Sequence, residues 1–159
     1  MPEIFSLPNP LHPAVVHFPI VLLLLGAFVA LVMAFVPRGR WPGLSAACFL
    51  LGAAGAVVAV QTGEEDGESA HKLWGGKSVL KHHEDWAEAT QVAAIAAAVL
   101  SLGVLFTQRW PFAARSLAIA TAVAGLVSAW CVIETGHYGG QLVYRYGFGQ
   151  KSILDSFKH

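Results

Sequence analysis

Four polar stretches contain nearly all of the histidines and carboxylates of this chain. They read LHPAVVHFP (11–19), QTGEEDGESAHK (61–72), KHHEDWAE (81–88) and IETGHYGG (133–140). Imidazoles and carboxylates bind metal ions, imidazoles bind haem iron, and both groups carry protons. Gathered beside apolar segments, such side chains indicate a metal, haem or proton site at a membrane boundary.

Each polar stretch adjoins an apolar segment that approaches or reaches the length needed to cross a bilayer. The apolar segments cover 14–36, 44–60, 87–106 and 112–133, and a transmembrane helix needs roughly 20 such residues. Only 13% of the residues are charged, against about 25% in soluble domains. We therefore predict an all-α membrane protein with one domain over 1–159, an antiparallel four-transmembrane-helix bundle followed by a short extramembrane C-terminal segment. The up-down order places all four polar stretches at one end of that bundle.

The polar stretches resemble one another in pairs. Thr62-Gly63 and Thr135-Gly136 each follow an apolar segment, and both pairs are typical helix ends. This similarity suggests two pseudo-repeated helical hairpins, related by a two-fold axis along the membrane normal. The first and third apolar segments also begin comparably, with His17-Phe18-Pro19 against His83-Glu84-Asp85. The related residues are then His17 with His83 and Glu64 with His137.

Two prolines bear on the start of the first helix. Proline is tolerated in a first helical turn, so the helix starts near Pro13 or near Pro19. A start at Pro13 would make Pro19 a kink that frees a backbone carbonyl close to His17. Residues 67–81 show no clear periodicity, and we expect a loop or a short helix there.

Two imidazoles that face each other between helices can bind a haem iron from both sides inside an apolar bundle. Because the predicted repeat relates His17 to His83, these two are the preferred axial pair. His12, His71 and His137 are candidates for a second pair or for contacts to the haem propionates. The sequence therefore predicts a b-type haem that transfers electrons near the outer membrane face. Covalent c-type haem is excluded, because the chain has no Cys-x-x-Cys-His motif.

The same stretches also permit a site for an inorganic ion. Two Glu-x-x-His motifs, at 68–71 and 134–137, set a glutamate and a histidine on one helical face, as in di-iron carboxylate bundles. Two further glutamates are needed, for which Glu64 and either Glu84 or Glu88 are candidates. A single zinc or copper ion is another reading. The candidate metal ligands are His17, His83, His137, Glu64, Glu134 and Glu84. A third reading is a structural membrane subunit without a cofactor, whose histidines lie at the interface.

The distribution of arginine predicts the orientation in the membrane. The two short connections between apolar segments hold Arg38, Arg40, Arg109 and Arg115. Positive charge in short loops is typical of a cytoplasmic face. We therefore expect a bacterial inner membrane protein whose termini and His/Glu cluster lie on the outer, periplasmic side. The lipid bilayer is the expected partner, and nucleic acid is not, because the net charge is zero and there is no basic stripe.

Several motifs resemble those of a bacterial membrane family, Domain of Unknown Function 2231. The resemblance covers nearly the whole chain and rests on HPAVVHFPI (12–20), TGE (62–64), HE (83–84) and GHYGGQLVYRYGFG (136–149). Relatives often have a histidine where this chain has Tyr146. Some relatives look to be fused to cytochrome-c-like domains, which implies a redox setting with a c-type cytochrome or a larger redox complex as partner. The family pattern marks His12, Pro13, His17, Pro19, Thr62, Gly63, Glu64, His83, Glu84, Gly139, Gly140, Leu142, Val143 and Tyr144.

Overall fold

The computed structural model describes residues 12–71 and 76–147, except for the side chains of Pro13 and of residues 65–71. Within these ranges the chain is helical and contains no strand. The helices α2 to α5 are each long and apolar enough to span a membrane, whereas α1 is a single turn. The predicted all-α architecture with four membrane-spanning helices is confirmed. The helices are α1 (His12–Val15), α2 (His17–Phe35), α3 (Trp41–His71), α4 (Lys77–Phe106) and α5 (Pro111–Tyr144).

The four long helices pack in a ring. Each helix contacts the next one along the chain, and α5 closes the ring by packing against α2. Because successive helices run in opposite directions, the starts of α2 and α4 lie beside the ends of α3 and α5. We call this the polar end, since it carries the polar stretches. The other end, formed by the short connections 36–40 and 107–110, is called the arginine end.

Small residues bring the helices close together around one large ring. Phe49 of α3 is completely buried. A Cβ atom added to Gly26 of α2 would lie 3.1 Å from the Phe49 ring, and one added to Gly125 of α5 would lie 2.9 Å from it. In lipid, close packing of this kind joins helices in the absence of a hydrophobic force between them. The apolar side chains on the outside of the ring, such as Phe28 and Val99, are exposed and available to lipid.

The first helix is interrupted at a single residue. Val16 separates α1 from α2 but keeps helical backbone angles, with φ −61° and ψ −28°. Its amide donates to the His12 carbonyl oxygen at 3.1 Å. Pro19 has no amide hydrogen, so it cannot donate to the Val15 carbonyl one turn earlier. The first helix therefore starts beside Pro13. Its interruption at Val16 directly precedes His17, close to the kink that Pro19 was expected to cause.

Three of the helices extend further than predicted at the polar end. The expectation that Thr62-Gly63 and Thr135-Gly136 end helices is wrong, because α3 continues to His71 and α5 to Tyr144. Thr62 Oγ1 donates to the Val58 carbonyl at 3.0 Å, and Thr135 Oγ1 donates to the Cys131 carbonyl at 2.8 Å. Such bonds are typical of threonine inside a helix.

The described part of the interval 67–81 differs from the predicted loop or short helix. It consists of the end of α3 and the start of α4. Residues 72–75 and the C-terminal segment 148–159 lie outside the described residues. With 34 residues, α5 is ~51 Å long, whereas the hydrocarbon core of a bilayer is about 30 Å thick. Because the arginine end consists of short connections, the excess length extends from the polar end.

Candidate functional site

His12 and His83 lie against each other at the polar end. Their ring centroids are 6.0 Å apart and their ring planes are nearly perpendicular, at 88°. His12 begins α1, ahead of the α2–α3 hairpin, and His83 lies in the second turn of α4. Both residues are half-buried. The structure thus joins one imidazole from each hairpin at the centre of this end.

Each of the two imidazoles is fixed by a hydrogen bond to the main chain of its own hairpin. His12 Nδ1 lies 2.8 Å from the Ala59 carbonyl oxygen, and His83 Nδ1 lies 2.9 Å from the Thr135 carbonyl oxygen. A carbonyl oxygen can only accept, so Nδ1 carries the proton and donates in both rings. In the neutral form of such a ring, Nε2 carries the lone pair and is the nitrogen that would bind a metal.

A glycine four residues after each carbonyl makes room for the ring. A Cβ atom on Gly63, which follows Ala59, would lie 3.0 Å from His12 Cε1. A Cβ atom on Gly139, which follows Thr135, would lie 3.1 Å from His83 Cε1. Residues i and i+4 of a helix share one face, so a side chain at either glycine would crowd the imidazole bonded to the carbonyl. Glycine at both positions therefore permits the histidine-to-carbonyl bonds.

Both hairpins contain the same set of contacts between a histidine, a carbonyl and a glycine. The residues that match between the hairpins differ from the predicted ones. In the structure Ala59 corresponds to Thr135 and Gly63 to Gly139, whereas the alignment of the two Thr-Gly pairs matched Gly63 with Gly136. The counterpart of His83 in these contacts is His12. The repeated contacts support two pseudo-repeated hairpins.

Threonine hydroxyls lie close to the histidine-to-carbonyl bond of each hairpin. Thr62 Oγ1 is 3.1 Å from the Ala59 oxygen and 3.5 Å from His12 Nδ1. On the other hairpin, Thr135 Oγ1 is 3.2 Å from the hydroxyl of Thr90, which is buried. These hydroxyls extend the polar contacts of the histidine pair towards the apolar part of the bundle.

The other predicted ligand histidines that the structure describes, His17 and His137, lie outside this pair. His17 is exposed, although it is only one turn further along the chain than His12. His137 is also exposed, and its Nε2 accepts a hydrogen bond of 2.8 Å from the Gln141 side-chain amide. Its ring contacts Tyr138 edge-on at 5.4 Å, and Tyr138 stacks on His82 at 5.2 Å. The structure thus places His137 in a surface aromatic group with His82 and Tyr138.

The structure describes three of the predicted carboxylate ligands, and their role as ligands stays a prediction. Glu64 is exposed, and Glu84 and Glu134 are half-buried. Among the described side chains, no three or more histidine, cysteine, aspartate or glutamate residues are placed to hold one metal ion together. The Glu-x-x-His motif at 68–71 lies on described helical backbone, but its side chains are outside the described part of the chain.

The two carbonyls that fix the histidines were not identified from the sequence, since every residue has a carbonyl. The glycines were the available signal. A glycine inside an apolar helix often marks a close approach by another group. Gly63 and Gly139 fit this pattern, but Gly63 also belongs to a Thr-Gly pair that is typical of a helix end.

The chain belongs to the family described as a predicted membrane protein (DUF2231), whose profile matches residues 8–152. The resemblance carried by the sequence motifs is therefore confirmed, as is a multi-pass membrane protein. No curated protein and no solved structure matches the chain.

Proposed function

We propose that this member of the DUF2231 family binds a b-type haem between His12 and His83 and transfers electrons at one face of the membrane. The observation that carries the proposal is the pair of imidazoles fixed through Nδ1, with ring centroids 6.0 Å apart. With metal–nitrogen bonds near 2.0 Å, two imidazoles on opposite sides of one metal have centroids roughly 6 Å apart. The separation of the two rings therefore suits one shared metal atom.

The number of available ligands favours haem over an ion bound by protein alone. Protein zinc sites use three or four protein ligands, and di-iron bundles use four glutamates and two histidines. The described side chains offer no such group. A porphyrin supplies four nitrogens itself, so that two imidazoles complete the coordination of its iron. The pair of His12 and His83 fits that requirement.

The hydrogen bonds at Nδ1 further support a ligand role. Histidines that bind metals usually donate their second ring N–H to a carboxylate, a carbonyl or water, which fixes the ring and raises its basicity. His12 and His83 both have such a partner, at Ala59 and Thr135. His137 differs, because its Nε2 already accepts a bond from Gln141.

The position of the site defines the expected partners. With the arginines of the short loops in the cytoplasm, the histidine pair faces the outer side of a bacterial inner membrane. A c-type cytochrome or a larger redox complex would exchange electrons with the haem there. The exposed His82 and His137 lie at the same end, in contact with the half-buried Tyr138.

The test is an absorption spectrum with a metal analysis of the purified protein and of matched variants. We expect a Soret band in the wild type and its loss in His12→Ala and in His83→Ala. The controls are His17→Ala and His82→Ala, which remove exposed imidazoles close in sequence to the proposed ligands. Both controls should keep the band.

Each alternative outcome would support a different pair of ligands or a different function. Loss of the band in His17→Ala with retention in His12→Ala would support the pair predicted from the sequence. Bound iron, zinc or copper without a Soret band would support a non-haem metal site. A colourless protein without metal, expressed with sufficient haem supply, would contradict the proposal and favour a structural membrane subunit.

A further inference from the structure

A cleft opens between the end of α2 and the start of α5, at the arginine end and thus far from the histidine pair. Its volume is about 290 Å³, close to the lower limit of roughly 300 Å³ for ligand pockets. A cleft of this size suits the headgroup region of a lipid and not a whole lipid molecule. Its lining consists of the segment 35–38 and of Pro111, Ala114 and Arg115.

The charge around the cleft is entirely positive. Arg38 and Arg115 line it and are exposed. The flanking segments 34–48 and 100–120 contain no aspartate or glutamate. The start of α5 has no side-chain cap, so its first-turn amides add partial positive charge. The ligand that complements this cleft is therefore an anion.

The other two arginines of this end have different contacts. Arg40 lies over the ring of Trp41 at 5.4 Å, and Arg109 lies over the ring of Trp110 at 4.2 Å. Neither of them lines the cleft. They provide controls with the same charge at the same end of the bundle.

We propose that the cleft binds an anionic phospholipid of the surrounding bilayer, with Arg38 and Arg115 holding the phosphate. A guanidinium donates two parallel hydrogen bonds to a phosphate. The headgroup of phosphatidylglycerol carries no ammonium group, which the two guanidinium groups would repel. The apolar wall of Phe35 and Val36 accommodates the first part of an acyl chain. Basic pockets between transmembrane helices are known binding places for acidic headgroups. The site is independent of the haem.

The experiment is native mass spectrometry of the full-length protein from a neutral detergent. Phosphatidylglycerol is the acidic probe, and phosphatidylcholine is the zwitterionic probe with the same phosphate. We expect the wild type to prefer phosphatidylglycerol. The double variant Arg38→Gln/Arg115→Gln should bind it roughly 30-fold more weakly, since each arginine near an anionic headgroup contributes about 1 kcal/mol. The control Arg40→Gln/Arg109→Gln, with the same change in charge, should bind it like the wild type.

Three results would overturn the proposal. The first is an equal loss of affinity in both double variants, which would indicate general surface charge. The second is equal binding of the two lipids, or binding of a neutral quinone in preference to both. The third is displacement of phosphatidylglycerol by equimolar inorganic phosphate, which would indicate a site for free anions. If the double variant does not fold, Arg38→Gln and Arg115→Gln are measured singly, and each must lower the affinity for phosphatidylglycerol.

Discussion

The two ends of the bundle position their functional side chains by different means. At the polar end, His12 and His83 are fixed by bonds to main-chain carbonyls and by contact with glycines. At the arginine end, Arg38 and Arg115 are exposed beside an open cleft. Two imidazoles that share one metal must be placed to within ~0.5 Å, whereas a flexible arginine can reach a phosphate from several conformations. We therefore expect a single substitution to cause a large loss of ligand binding at the polar end and a smaller loss at the arginine end.

The largest expected effect concerns the side of the membrane on which each end lies. If the arginine end is cytoplasmic, a cysteine in place of the exposed Lys81 should react with an impermeant maleimide in intact spheroplasts. A cysteine in place of the exposed Arg40 should react only after lysis. The native Cys48 and Cys131 are buried and should give little background. Labelling in the reverse order would place the histidine pair in the cytoplasm.

The second prediction compares a glycine of each end. Gly139→Leu should displace the His83 ring, because the first added carbon already lies 3.1 Å from it. Loss of the bond to Thr135 should weaken cofactor retention by roughly 10–100-fold. Gly43→Leu is the matched control, since nothing lies within 4 Å of a Cβ atom there. Haem titration of the two purified proteins measures the difference. Equal retention would mean that the bond of His83 to the main chain is not needed.

The third prediction concerns a buried hydroxyl pair near the arginine end. Ser45 and Ser101 are completely buried, with their hydroxyl oxygens 2.9 Å apart. Ser101→Ala leaves the Ser45 hydroxyl without this bond and should lower the free energy of unfolding by about 1 kcal/mol. The double variant Ser45→Ala/Ser101→Ala should recover part of the loss. Unfolding in a denaturing detergent, followed by circular dichroism, provides the measurement. A change in haem binding would contradict the separation of the two ends.

The smallest expected effect concerns the carboxylates of the polar end. Glu134 is half-buried and directly precedes Thr135, whose carbonyl binds His83. Glu134→Gln removes a negative charge near the proposed haem site and should change the reduction potential of a bound haem without releasing it. Glu64→Gln removes an exposed charge and should change the potential less. Potentiometric titration measures both variants. Loss of iron from both would instead identify the glutamates as direct ligands.

The membrane-spanning segments were predictable because length and apolar composition determine them directly. The helix ends were not, because Thr62-Gly63 and Thr135-Gly136 end a helix only where nothing packs against them. In the structure Gly63 contacts His12, and Thr135 binds His83 through its carbonyl. Contacts between helices therefore outweighed the local signals for a helix end.

The sequence predicts that histidines gather at the polar end. It does not predict which two of them contact each other. His12 and His17 lie five positions apart on either side of the break at Val16. The sequence does not specify the direction in which each ring points after this break. The prediction matched His17 with His83 because the first and third apolar segments begin comparably. In the structure the carbonyls of Ala59 and Thr135 determine the correspondence. The assignment of His17, His12 and His83 as ligands stays a prediction.

The central claim is that His12 and His83 would together hold the iron of one haem. The most direct measurement is electron paramagnetic resonance of the oxidised protein, because two imidazole ligands give a low-spin ferric signal. We expect that signal in the wild type, a high-spin signal in haem-reconstituted His12→Ala and His83→Ala, and recovery of the low-spin signal on adding free imidazole to either variant. A low-spin signal that persists unchanged in both variants, or a wild type that gives no haem signal after reconstitution, would contradict the account.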